Sequence, residues 1–195
     1  MAGEMFLSTF KLSADVDERR PRGTFSAAFV DYRPGSELLY KELMICPAIT
    51  SGDYAKHVTI TDIWVDLPAS VSGGRAIWGV PKGLCQFTFE EQVSGPLARS
   101  SWIAGVDDTP IASARFTGAS KLAVRLPVPS GRIYQPVLPE GDGPKMGTMA
   151  ASARFLPCRA TWTFHPSGPL GWLAGQRPIV SVRARNFRMR MGVAD

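Results

Sequence analysis

The 195-residue chain carries 22 lysines and arginines against 17 acids, a net charge of +5, with 45% hydrophobic and 20% charged residues. That balance excludes a disordered chain, and the length suffices for a full core, so one domain spanning 1–195 is expected. No apolar run approaches the ~18 residues that span a bilayer, and Glu4 stands where a secretory leader wants bases, which gives a cytoplasmic protein without membrane contact as the expectation.

Residues 1–23 hold Asp15, Asp17, Glu18, Arg19 and Arg20 and read as a polar arm. Aromatic and β-branched residues from Thr24 to Tyr32 predict a strand, closed by the turn Arg33-Pro34-Gly35-Ser36. Leu38 to Cys46 is the next strand, with Leu38, Tyr40, Glu42, Met44 and Cys46 on one face. Glu42 is the odd member of that face. A carboxylate among apolar neighbours must be paired, protonated or turned to a cavity, because an isolated buried charge is costly.

A strand over 58–66 leads to Pro68, and the small residues of Ala69 to Trp78 predict a short helix. Further strands are expected over Cys85–Glu91, Ala98–Val106, Pro110–Thr117 and Lys121–Val128, separated by Gly, Pro or Asp-Asp breaks. The Pro- and Gly-rich span 127–147 reads as a long loop, a plain connection or a rim over a cavity. Strands over Met149–Phe164 and Ile179–Met191 complete a β-rich chain with a few short helices. No nucleotide-binding glycine motif is present.

Arg183, Arg185, Arg188 and Arg190 alternate with apolar residues, which predicts a sheet with one wet, basic face. No recognition helix, zinc finger or RNA-binding aromatic motif accompanies them, so nucleic acid is not the expected partner. His57 and His165 lack ligands at metal spacing, and no metal or cofactor is expected. Cys46, Cys85 and Cys158 are odd in number and set among apolar residues, a packing role. Ser72-Gly73-Gly74 is no nucleophile elbow.

The stretch Gly73–Phe87, GGRAIWGVPKGLCQF, sets Lys82 between rigid punctuation: Pro81 fixes its own φ and restricts Val80, while Gly79 and Gly83 permit tight turns. On these features alone Lys82 is either a solvated charge or a functional group at a junction of elements. An amine attacks a carbonyl only when neutral, and a lysine near ~10.4 is neutral in about one molecule in 2,500 at pH 7. A nucleophilic Lys82 therefore calls for a site that lowers its pKa by desolvation or a neighbouring cation.

GGRAIWGVPKG resembles the signature of the acetoacetate decarboxylase superfamily, and the likeness extends to LLYKELMICPA (38–48) and to the closing 168–192. The resemblance implies an antiparallel, cone-like, double-layer β-barrel around a pocket, a homo-oligomer, and chemistry without a cofactor. It aligns Lys82 with a Schiff-base lysine, and acetoacetate decarboxylase is itself the standard example of a lysine activated for that role. Glu42 is the matching strand carboxylate, able to serve as acid or base. Arg75 matches the G-R pair, as a ligand contact or a brace for backbone carbonyls. Trp78 and Trp64 are expected to supply apolar cover and, with Tyr40 and Arg33, to contact substrate. The chain departs from the pattern at Gly83, where acetoacetate decarboxylase has a second lysine, and at Ala76, where the acid after G-R is usual. The family's substrate-carboxylate arginine falls on Ser26, with Arg22 and Arg33 as nearby substitutes. These readings imply a lyase-type enzyme acting on a keto acid or ketone through a lysine imine. The competitors are a cyclase or dehydratase that forms no imine, and a non-catalytic binding barrel.

Overall fold

The computed structural model describes residues 1–121 and 124–193. Its strands are β1 (Ala2–Leu12), β2 (Gly23–Tyr32), β3 (Lys41–Pro47), β4 (His57–Val58), β5 (Asp62–Val65), β6 (Lys82–Leu84), β7 (Gln86–Ser94), β8 (Leu97–Val106), β9 (Thr109–Ala119), β10 (Val124–Gln135), β11 (Lys145–Phe164) and β12 (Val180–Val193). One helix, α1 (Pro68–Trp78), lies between β5 and β6, and a single 3-10 turn covers Gly171–Leu173. Among the described residues no helix is long and apolar enough to cross a membrane.

The strands form one sheet in the order β6-β5-β3-β2-β1-β12-β11-β9-β8-β7, with β10 added to β11 and β4 to β10. A bridge between Ala48 and Val58 ties the end of β3 to β4, so β1, β2, β3, β4, β10, β11 and β12 close a ring. Pairing is antiparallel except between β5 and β6 and between β4 and β10. β11 serves both layers: its first part pairs with β10 and β12, and Cys158–Phe164 pairs with β9. The result is the β-rich chain expected from the strand pattern, closed into the double-layer barrel that the resemblance implies.

Alternation along β1, β2 and β3 sends side chains to two different interiors. Phe6, Phe10, Phe25, Phe29, Leu43 and Ile45 point into a solid core shared with β7, β8, β9 and the end of β11. Phe29 is stacked there between Trp102 and Trp162, at 5.1 Å from each ring. Met5, Leu7, Ser26, Ala28, Glu42 and Met44 point the other way, into the hollow of the ring.

Several expectations are corrected. The polar arm holds only for its second half: Ala2–Leu12 is a central strand with Phe6 and Phe10 fully buried, because it is covered on both faces. The expected strand over 58–66 divides into β4 and β5. Much of the expected loop 127–147 is hairpin, since β10 runs to Gln135 and β11 begins at Lys145. The expected strand over 121–128 falls partly outside the described residues. The C-terminal arginines do not share a wet face. Arg183 is buried between Glu4 and Glu91, while Arg188 and Arg190 are exposed. Asn186 takes a positive φ of 48°, and the pairing registers with β1 and β11 shift nearby, so the alternation changes phase along β12.

Candidate active site

α1 begins at Pro68, whose fixed φ and missing N–H suit the first turn. It stops at Gly79, whose φ of 62° closes the helix and allows the Val80 N–H to reach the Gly74 carbonyl. Ser70, Gly74 and Trp78 recur every four residues and make one stripe. That stripe faces Lys82. Ser70 bonds to its amine, Trp78 lines the hollow, and a Cβ on Gly74 would lie 2.6 Å from the Lys82 Cδ. Gly74 is therefore glycine because the lysine stem lies across the helix at that point.

β6 pairs with β5 through Ile63 and Lys82, so Lys82 and Ile63 both line the cavity and the next residues turn away. The cavity measures about 350 Å³ and is walled largely by apolar side chains, among them six of the seven methionines. Lys82 is 8% exposed and Glu42 3%. The Lys82 Nζ donates to Glu42 Oε2 at 3.0 Å, Ser70 Oγ at 3.0 Å and the Tyr40 hydroxyl at 3.3 Å. Three acceptors match the three hydrogens of an ammonium. Tyr32 donates to Glu42 Oε1 at 3.1 Å and stacks on Tyr40, the ring centres 4.4 Å apart.

Burial on its own pulls the Lys82 pKa down, but the Glu42 carboxylate and then Tyr40 outweigh it, and the net direction is above the ordinary lysine value. The expectation of a lowered pKa is thus not met in the resting site, where the amine is charged and paired. Burial, reinforced by Glu42, raises both tyrosines, Tyr32 the more strongly, so both phenols keep their protons at neutral pH. Cys46 also lines the cavity, and burial pushes its thiol up to about 12, which removes it as a nucleophile.

Of the residues singled out in the sequence, Lys82, Glu42, Tyr40 and Trp78 meet at this cavity, and Arg75, Trp64 and Arg33 do not line it. Arg75 pairs with Glu140 and donates to the Lys82 carbonyl at 2.7 Å, which makes it a brace of the backbone. Trp64 alternates to the far face of β5, against the aromatic core and over Gly83, where an added Cβ would lie 3.2 Å from its Cδ1. Arg33 is held outside by Asp31 at 2.6 Å and Glu4 at 3.1 Å. Sequence reasoning does not find Ser70 or Tyr32. The four-residue spacing of Ser70, Gly74 and Trp78 is the available signal for the first. Among the described residues no three of His, Cys, Asp and Glu converge as metal ligands would.

This cone-like antiparallel barrel is the acetoacetate decarboxylase-like fold, which sets the structural class of the chain. No protein-family model and no curated protein matches the sequence. Among solved structures, acetoacetate decarboxylase from Legionella pneumophila superposes with a TM-score of 0.66 at 12% identity, over 100% of this chain and 86% of the other. The enduracididine biosynthesis enzyme MppR complexed with pyruvate gives 0.71 at 14%, over 98% and 88%. MppR complexed with the condensation product of pyruvate and imidazole 4-carboxaldehyde gives 0.57 at 14%, over 96% and 87%.

Proposed function

We propose that the protein is a lyase-type enzyme that joins the carbonyl carbon of a ketone or keto acid to Lys82 as a Schiff base. The observation that carries this reading is the Lys82 Nζ on the wall of an apolar cavity with a carboxylate oxygen 3.0 Å away. A nucleophile within hydrogen-bond reach of its base is the arrangement covalent catalysis needs. The neighbours of this fold are themselves an acetoacetate decarboxylase and MppR.

The reaction starts with transfer of one ammonium proton to Glu42 Oε2. The freed amine adds to the carbonyl carbon, and the carbinolamine oxygen leaves as water, taking a proton back from Glu42. The iminium then draws in the electron pair of a breaking C–C bond, the other carbon leaving as carbon dioxide or a carbonyl, or of a breaking C–H bond whose proton passes to Glu42. The enamine takes a proton at carbon, and hydrolysis frees Lys82. Tyr32, donating to Oε1, holds the carboxylate with Oε2 toward the amine. No cofactor enters these steps.

Borohydride reduction in the presence of a ketone, with mass analysis of the Lys82 peptide, tests the proposal. A reduced adduct on Lys82 supports it. A second reading is favoured by the ammonium having all three hydrogens bonded: Lys82 then donates a proton to a substrate that is cyclised or dehydrated without an imine. Turnover that depends on Lys82, with no adduct at any pH, would select that reading, and turnover retained in Lys82→Ala would reject both.

A further inference from the structure

The cavity has a charge balance of its own. Among the described lining residues the charged side chains are Lys82 and Glu42, and they neutralise one another at 3.0 Å. No arginine is among them. Met1 also lines the cavity, and its amino group, with no acidic partner among the described residues, is held by the Met189 carbonyl at 2.9 Å. Among the described side chains of the wall, a carboxylate entering this space finds no cation free of a partner and approaches Glu42 as a like charge, in surroundings that solvate charge poorly. A neutral carbonyl oxygen meets no such penalty. The Lys82 ammonium and the Tyr40 hydroxyl are both donors able to turn to it.

The walls are shaped for something larger than a three-carbon acid. Ala28, Ala151, Ala153 and Ala184 draw back from the hollow on three facing strands, and the methionines between them are flexible enough to fit a chain or a ring. Each methylene buried against such a wall tightens binding about fourfold.

We propose that the cavity takes uncharged carbonyl compounds bearing a medium-length apolar chain or ring, in preference to keto acids. The ligand class rests on the cavity alone, whereas the reaction rests on the Lys82 reading given above. For an uncharged β-hydroxy carbonyl compound, Glu42 takes the β-hydroxyl proton, the Cα–Cβ pair enters the iminium and the β-carbon leaves as an aldehyde. In dehydration Glu42 takes the α-proton and returns it to the β-hydroxyl, which leaves as water, whereas decarboxylation needs a carboxylate to lose.

Calorimetric titration of the intact protein with 2-octanone, 2-oxooctanoate, octanoate and pyruvate tests the proposal, with Lys82→Met run in parallel. The expected result is binding of 2-octanone at least tenfold tighter than either eight-carbon acid or pyruvate, in the same order for both proteins. Equal or tighter binding of 2-oxooctanoate, or no binding of the ketone, overturns it. Borohydride added to the same samples separates the two claims. A ketone that binds but is never trapped on Lys82 sinks the imine reading and leaves the ligand class standing.

Discussion

Gly73 and Gly74 are neighbours in α1, and helix propensity alone says that alanine at either stabilises the chain by about 0.5–1 kcal/mol. The structure separates them. A Cβ on Gly73 meets nothing within 4 Å, so Gly73→Ala should raise Tm by up to about 2–4 °C for a chain of this size. A Cβ on Gly74 would lie 2.6 Å from the Lys82 Cδ, 2.9 Å from its Cε and 3.2 Å from the Val80 Cγ2. Carbon atoms rest about 3.5–4.0 Å apart, so the lysine stem must move by about 1 Å. A flexible stem would do so cheaply if its end were free, but Nζ is pinned at 3.0–3.3 Å by three acceptors. A shift of that size breaks at least one of these bonds, and a bond to a charged group is worth about 1.5–3 kcal/mol. Gly74→Ala is therefore expected to lose about 1–2 kcal/mol net, to lower Tm where Gly73→Ala raises it, and to slow ketone trapping on Lys82 at least tenfold. Thermal unfolding and borohydride trapping read both effects. If Gly74→Ala gains as much Tm as Gly73→Ala and traps ketone at the wild-type rate, the reasoning from this contact is wrong.

Three other outcomes are expected. Glu42→Gln removes a charge 3.0 Å from the ammonium, an attraction of about 5 kcal/mol at an effective dielectric of ~20, and leaves burial unopposed. Lys82 should then be acylated by an uncharged amine-reactive ester, a reaction that needs a neutral amine but no acid to expel water, at least tenfold faster at pH 7 while ketone trapping and turnover fall; slower acylation would show that Glu42 does not hold the proton on. Lys82, Tyr32 and Tyr40 all have folded pKa values above their ordinary ones. The native state thus binds more protons than the unfolded chain above about pH 10, and stability, complete below that, should fall as pH rises further. Tyr32→Phe should flatten the decline measured in urea at about pH 9–11, and a wild-type profile flat over that range would contradict the shifts. Finally, Ser26→Arg puts a cation on the cavity wall and should turn the preference in titration from 2-octanone toward 2-oxooctanoate; an unchanged order in a folded variant would mean that wall charge does not set selectivity.

The local signals, a proline and two glycines around Lys82 and strand parity with Tyr40 and Met44 around Glu42, leave each residue two readings, and the resemblance carried by GGRAIWGVPKG and LLYKELMICPA is what singles out the pair. Ser26, the ungapped counterpart of the family's arginine, also lies on the cavity wall. The misplacements have physical causes. Arg33 and Trp64 stand near the right elements, but which way each points depends on partners far along the chain, Glu4 and the aromatic core, while Arg75 takes the second of its two expected roles as a brace of the Lys82 carbonyl. Asp15–Arg20 give the whole N-terminus a polar look, although Met5, Leu7 and Phe6, Phe10 mark a strand apolar on both faces. Arg183 reads as wet only if the run is taken as one alternation; the three-residue step from Arg185 to Arg188 reverses strand parity and is the sequence signal of the irregularity at Asn186. The prolines of 127–139 suggest a loop, yet Pro127 is tolerated in β10, which meets β4 only at Arg132 and Ile133.

β1, β2 and β3 are a party wall. Every second residue belongs to a room packed tight with rings, and the residues between belong to one left largely empty. Cohesion and selectivity are thereby assigned to alternate positions of the same three segments. Exchanges at Met5, Ala28 or Met44 can re-tailor the guest while Phe6, Phe29 and Leu43 keep the wall upright, so new specificities are open to this barrel at little risk to its folding.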